Sequence, residues 1–324
     1  MPSRAARAFW VAAPGRGELR DEPLREPRAD EVAVRARYSG ISRGTEALVF
    51  SGRVPASEHQ RMRAPFQDGE FPAPLKYGYA NVGTIEGGAR DGESVFVLFP
   101  HQTRYVVPAA AAHRIPAAVP PARAVLAANL ETAINGLWDA QPAVGNRIVV
   151  IGAGTVGCLV AWLARRIPGT RVLLSDVNAS RESVAAQLGV AFAAPDRLTP
   201  DSADLIVHTS GSPDGLTRAL QVADFEATIV EMSWYGTTVV PLPLGEGFHA
   251  KRLTIRSSQV GVVAAAARPR WDSRRRLELA LSLLTDSALD ALITGESPFD
   301  SLPDTMARLA ASPGNTICHR IRYD

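Results

Sequence analysis

The chain is short of cysteine and of lysine, and each shortage narrows what it can be. Cysteine occurs only at Cys158 and Cys318 among 324 residues. Two thiols build neither a disulfide framework nor the four-cysteine lobe that holds a structural zinc. Lysine occurs only at Lys76 and Lys251, so nearly all positive charge is arginine. The formal net charge is +2, from 35 basic and 33 acidic residues, too near balance to imply a nucleic-acid partner. The densest basic run, from Arg268 to Arg276, enters a leucine-rich helix and reads as its solvated face. No stretch approaches the ~20 apolar residues that span a bilayer, and the start of the chain lacks the apolar run of a secretion signal. These absences predict a cytoplasmic protein that binds neither nucleic acid nor membrane.

Hydrophobic residues make up 46% and charged residues 21%, and the length suffices for two cores. Residues 7–11, 18–22 and 31–39 read as short strands, the last alternating strongly. A loop of small and polar residues follows at 40–46. The proline-bearing stretch 52–74 reads as a binding loop, with Ser57 and Gln60 as a capping box for a short helix through Met62. Strands at 77–86, 93–99 and 103–107 complete a small curved antiparallel barrel. After an Ala- and Pro-rich connector, 124–139 reads as a helix. Strands at 148–151, 172–175, 205–208, 227–232 and 253–257 then alternate with helices. That alternation predicts an α/β fold with a doubly wound parallel sheet. Helices at 273–284 and 302–311 and a strand at 316–321 close the chain. The predicted domains are 1–123 with 266–324, and 124–265.

The stretch richest in chemistry is the βαβ unit from Arg147 to Asp176. A β-branched run, Val149-Val150-Ile151, meets Gly152-Ala153-Gly154-Thr155-Val156-Gly157 in G-x-G-x-x-G spacing. Gly152 permits the tight turn, Gly154 lets a pyrophosphate approach the backbone, and Gly157 lets helix and strand pack closely. The helix start, with Thr155 and Val156, offers N–H groups to phosphate. Asp176 follows at the end of the next strand, where a carboxylate holds a ribose 2′-hydroxyl. Its charge repels a 2′-phosphate and no arginine directly follows, so NAD(H) is favoured over NADP(H). Val177 and Asn178 continue the cofactor turn; the alternative is a phosphate pocket of Asn178 and Arg181 with Asp176 turned away.

A small barrel followed by a dinucleotide fold resembles the medium-chain dehydrogenase/reductase superfamily over the whole chain. The resemblance rests on Ser39-Gly40-Ile41-Ser42-Arg43-Gly44-Thr45-Glu46, on Gly78-Tyr79-Ala80-Asn81-Val82-Gly83, on the glycine loop and on Asn315-Thr316-Ile317-Cys318. The first of these is similar to the bacteriochlorophyllide dehydrogenase branch. The resemblance implies a GroES-like barrel beside a Rossmann domain. It implies cofactor contacts from Arg43 and Asn315 near the pyrophosphate, and from Thr209, Ser210 and Gly211 near the adenosine half. Thr132 would lie beside the nicotinamide, and Ser257, Ser258 and Gln259 near its carboxamide. Zinc members of the family place metal ligands where this chain has Ser42, Tyr79 and Ala128, so no catalytic zinc is expected.

Without a metal, a donor or an acid/base must manage charge on the substrate oxygen. The candidates are Tyr79, Ser42, Glu46, His101 and Lys76, with Tyr79 first because it occupies the position of a metal-binding histidine. Tyr79 reads equally as an aromatic that fills the vacated space, Glu46 as a local backbone cap, and His101 as a solvated loop residue. Three functions remain open: a zinc-independent NAD-dependent dehydrogenase of secondary alcohols, an enoyl or quinone reductase, and a catalytically silent NAD-binding protein. Family members commonly dimerise by joining edge strands, and 253–257 is the predicted edge, so a homodimer is expected.

Overall fold

The structure, a computed structural model, describes residues 5–323. In chain order the elements are β1 (Ala5–Ala13), β2 (Arg16–Pro23), β3 (Glu31–Ile41), α1 (Arg43–Phe50), β4 (Asp68–Gly69), β5 (Leu75–Lys76), β6 (Asn81–Glu86), β7 (Ser94–Val97), β8 (Arg104–Pro108) and β9 (His113–Arg114). Then come α2 (Ala127–Ala140), β10 (Arg147–Ile151), α3 (Thr155–Ala164), β11 (Arg171–Ser175), α4 (Arg181–Gln187), β12 (Ala191–Ala193), β13 (Ala203–His208), α5 (Pro213–Val222), β14 (Ala223–Glu231) and β15 (Thr254–Ser257). The chain ends in α6 (Ser273–Leu283), β16 (Ile293–Pro298), α7 (Leu302–Ala311) and β17 (Cys318–Arg322). They divide into two units: 1–128 with 281–287 and 293–324, and 129–280 with 288–292. The first return crossing thus falls at Leu281 rather than at 266, because most of α6 belongs to the second unit.

In the first unit one sheet runs β16-β17-β3-β6-β7-β9 with β8 also on β3, and a second runs β2-β1-β5-β4. Val34, Ile85, Val95, Val97, Tyr105 and Val107 fill a core inside the first sheet. Phe99 stacks on Tyr105 there at 3.8 Å. The segment read as a loop at 40–46 is instead the end of β3 followed by α1. A helix forms because the Glu46 carboxylate caps the Ser42 N–H at 2.7 Å while Val49 and Phe50 are buried. The short helix expected at 57–62 is only a 3₁₀ turn, Ala56–Glu58, entered from Pro55 without a side-chain cap.

In the second unit six parallel strands run β12-β11-β10-β13-β14-β15. Counted within the unit that is 3-2-1-4-5-6, the doubly wound order, with its reversal between β10 and β13. Ile148 to Ile151 are all buried, as a strand covered on both faces requires. Strand β12 is not among the expected strands, because two of its three residues are alanine, a weak strand former.

A buried ion pair ties α6 to α2 and to the loop at Val260. Arg276 on α6 donates to Glu131 at 3.0 Å, to Asn135 at 2.5 Å and to the Val260 carbonyl at 2.6 Å. Burial raises the Glu131 carboxyl above its usual range, against the pull of Arg276. Removing one partner of such a pair leaves the other charge buried and alone, which costs about 3–5 kcal/mol. Arg276→Met is therefore expected to lose that much stability in urea unfolding. A variant within about 1 kcal/mol of wild type would show the pair to be dispensable.

Candidate functional site

At the carboxyl edge of the parallel sheet, strand register sets five residues in one row: Ser175, Ile151, His208, Glu231 and Ser257. The glycine loop rises beside it. Gly152 has φ 106°, and a Cβ there would sit 2.6 Å from the Ser210 nitrogen. A Cβ on Gly157 would collide with the Gly152 carbonyl and with Thr209 Oγ1. Only glycine satisfies both positions. Thr209 Oγ1 donates to the Gly152 carbonyl at 2.9 Å and locks the loop to β13. No side chain caps α3, and the positive end of its dipole at Thr155 and Val156 favours an anion. These features fit the pyrophosphate of a dinucleotide.

Asp176 follows β11. One oxygen accepts the Ala153 N–H at 2.7 Å and the other the Asn178 N–H at 2.8 Å. The carboxylate thus faces the glycine loop, and each oxygen retains room for a further bond. Val177 is 90% exposed, and Asn178 is turned to the Ser180 N–H. Arg181 is buried beside Cys158, whose thiol it pulls down while burial pushes it up to about 12. A 2′-phosphate pocket built on Arg181 would require that buried side chain to turn outward. Thr132 is half-buried in α2. Ser257 ends β15, Ser258 donates to Asp139 at 2.6 Å, and Gln259 closes its own turn by accepting the Gly261 N–H at 2.7 Å. Gly211 donates to Ser233 Oγ at 3.0 Å.

Sequence reasoning missed the neighbours of Ser210. His208, wholly buried, meets Ser210 Oγ with Nε2 at 2.6 Å and Glu231 with Nδ1 at 2.8 Å. Tyr235 donates to the same carboxylate at 3.0 Å. Two adjacent strands that each end in a titratable residue before a small-residue turn are the signal that could have revealed them.

The first unit gathers Ser42, Thr45, Glu46, Tyr79 and His101. His101 is 1% exposed, not the solvated loop residue its context suggests. Nε2 lies 2.8 Å from Glu46, and Nδ1 lies 2.7 Å from Ser39 Oγ. Ser39 in turn meets the Tyr323 hydroxyl at 2.9 Å. With a neutral imidazole every bond points one way: Tyr323 donates to Ser39, Ser39 to Nδ1, and Nε2–H to Glu46. Asn81 anchors the segment by donating to the Pro100 carbonyl at 3.1 Å. Glycine is favoured at 78 beside it, since φ there is 135° and a Cβ would press on the imidazole at 3.1 Å. Tyr79 hydrogen-bonds with the Ser42 and Thr45 hydroxyls. Burial, and then the Glu46 charge, push its phenol up to about 12 against those bonds. Lys76 is tied elsewhere, to Glu22 at 2.7 Å and Gln102 at 3.2 Å. Arg43 is the first residue of α1, and Asn315 is exposed before β17.

A catalytic zinc needs three His, Cys or carboxylate ligands. The three corresponding places hold a hydroxyl, a phenol and a methyl group, at Ser42, Tyr79 and Ala128. Among the described residues no three such ligands converge. This donor set does not fit the metal.

No family model matches the chain. The chain is 25% identical over 315 residues to the D-guloside 3-dehydrogenase of Escherichia coli K12, covering 88% of this chain and 87% of that one. It is 31% identical over 182 residues to the 2-desacetyl-2-hydroxyethyl bacteriochlorophyllide A dehydrogenase of Cereibacter sphaeroides, covering 49% and 52%. An alcohol dehydrogenase from Escherichia coli CFT073, solved with NADH, superposes with a TM-score of 0.77 at 20% identity over 98% of this chain and 99% of that one. Solved proteins of this fold hold either NADH or NADP. The glycine loop, the strand order and the full-length likeness place the chain in the medium-chain dehydrogenase/reductase superfamily, alongside the zinc-type alcohol dehydrogenase-like proteins.

Proposed function

We propose that the chain is a zinc-independent, NAD(H)-dependent oxidoreductase that moves hydride between nicotinamide and a secondary alcohol/ketone pair. The observation that carries the reading is the Tyr79 phenol, held by Ser42 and Thr45 where zinc relatives place a metal ligand. A phenol near 12 is protonated at neutral pH and donates a hydrogen bond to a substrate oxygen. Charge developing on that oxygen is then met by a positioned donor instead of a metal. Ser42 and Thr45 steady the phenol. Glu46 and His101 stand behind it as the buried end of a polar chain reaching Tyr323. The bound nicotinamide supplies or accepts the hydride.

NAD(H) is the preferred nucleotide in this reading. Gly152, Gly154 and Gly157 cradle the pyrophosphate, and Asp176 takes the adenosine ribose. The burial of Arg181 supports this, because it removes the cation nearest a 2′-phosphate. The reading includes a homodimer formed through the outer edge of β15, which among the described residues pairs only with β14.

Two measurements test it. Wild-type protein should bind NADH more tightly than NADPH when titrated by nicotinamide fluorescence. Asp176→Ala should weaken NADH by about ten- to a hundredfold, the loss of one charge-assisted hydrogen bond, and narrow the gap. Equal or tighter NADPH binding in the wild type would contradict the assignment. Tyr79→Phe should lower kcat for ketone reduction by about 10²- to 10⁴-fold and leave NADH affinity unchanged. Because the phenol stays protonated, the wild-type rate should show no break from Tyr79 between pH 6 and 10. Full activity in Tyr79→Phe would reduce this tyrosine to a space-filler.

A further inference from the structure

At the tip of β13, where the family resemblance places the adenosine half of a cofactor, lies an arrangement whose side-chain chemistry hydride transfer does not need. Ser210 is exposed on the turn between β13 and α5. Its Oγ lies 2.6 Å from His208 Nε2, and His208 Nδ1 lies 2.8 Å from Glu231 Oε2. The proton positions follow from the partners. Glu231 is acceptor-only, so Nδ1 carries the hydrogen, Nε2 is bare, and the Ser210 hydroxyl donates to it. Ser233 N–H at 2.7 Å and the Tyr235 hydroxyl at 3.0 Å hold the carboxylate. One Ser210 lone pair accepts the Ser212 N–H at 3.1 Å, and the other is open for attack.

We propose that Ser210, His208 and Glu231 form a nucleophile–base–orienter triad that hydrolyses acyl esters. Nucleophile, base and orienter are within hydrogen-bond reach of one another, the geometry by which such sites are recognised regardless of chain order. The serine sits between a strand and a helix, and Gly215 keeps that turn open. A Cβ at 215 would collide with Ser210 Oγ and lie 2.7 Å from His208 Nε2. The ten-residue helix α5 starts there with Pro213 in its first turn and no side-chain cap. Its first free N–H groups, at Asp214 and Gly215, supply donors for an oxyanion.

In the reaction Ser210 Oγ bonds to the ester carbonyl carbon and its proton passes to His208 Nε2. Glu231 stabilises the imidazolium. The bond from carbonyl carbon to alkoxy oxygen breaks, and Nε2–H protonates the departing alkoxide. Water, deprotonated by His208, then attacks the acyl-serine, releasing the carboxylic acid and restoring the hydroxyl. No oxidant, metal or nucleotide takes part.

The test uses the full chain with no nucleotide added, so it stands apart from the NADH titration. A fluorophosphonate probe is followed by intact mass, and p-nitrophenyl acetate by nitrophenolate release. Wild type should take up one probe, mapped to Ser210. Ser210→Ala, at an exposed position, should fold as wild type by melting and take up none. Glu231→Gln should slow labelling and ester hydrolysis by about 10²- to 10⁴-fold, as loss of the orienting carboxylate does in other triads. An unlabelled wild type, labelling that persists in Ser210→Ala, or an undiminished Glu231→Gln would each overturn the triad.

Discussion

The contact between Glu46 and His101 organises the first unit's site. Both groups are buried, 3% and 1% exposed, and neither tolerates burial without a partner. One Glu46 oxygen starts α1 by taking the Ser42 N–H, and the other holds the imidazole. That single carboxylate therefore decides that residues 43–50 are helix and where Ser42 and Thr45 meet the Tyr79 phenol. The imidazole's far side meets Ser39, which in turn meets Tyr323, and its face favours glycine at 78. The charge that caps the helix also raises the phenol. One interaction thus links local structure to the acidity of the candidate donor.

The second unit rests on close backbone approach rather than buried charge. Gly152 and Gly157 bring the loop against β13, and Thr209 fastens it there. Asp176 ties the loop to the end of β11 through the Ala153 N–H. Asp176→Ala would therefore also release the Ala153 N–H that holds the loop to β11. The same edge carries His208 and Glu231 side by side because parallel register pairs them.

What could be read from the sequence is what short spacing encodes. The glycine loop, Asp176 and the alternation of strands and helices lie within a turn or one βαβ unit, and their periodicity specifies them. The fold class was legible for that reason. Glu46 could be marked as polar and suspicious, but His101 is 55 residues away and Tyr323 lies 284 residues from Ser39. Contacts at that separation leave no local pattern, so His101 read as a loop residue. Helix α1 was hidden because Gly44 and Thr45 are weak helix formers, and the capping carboxylate outweighs them. Strand β12 was hidden by its two alanines, and the late domain crossing by the amphipathic α6, whose leucines suit either unit.

The central claim, hydride transfer to a carbonyl with Tyr79 in place of a metal, is tested most directly by isotope transfer with metal-stripped protein. Chelator-treated enzyme is given 4-deuterated NADH and a panel of ketones, and the products are analysed by mass spectrometry. Deuterium is expected at the carbinol carbon, at a rate that added zinc does not raise and that Tyr79→Phe lowers by about 10²- to 10⁴-fold. Transfer that appears only when zinc is restored, or deuterium found at an alkene carbon instead, would contradict it.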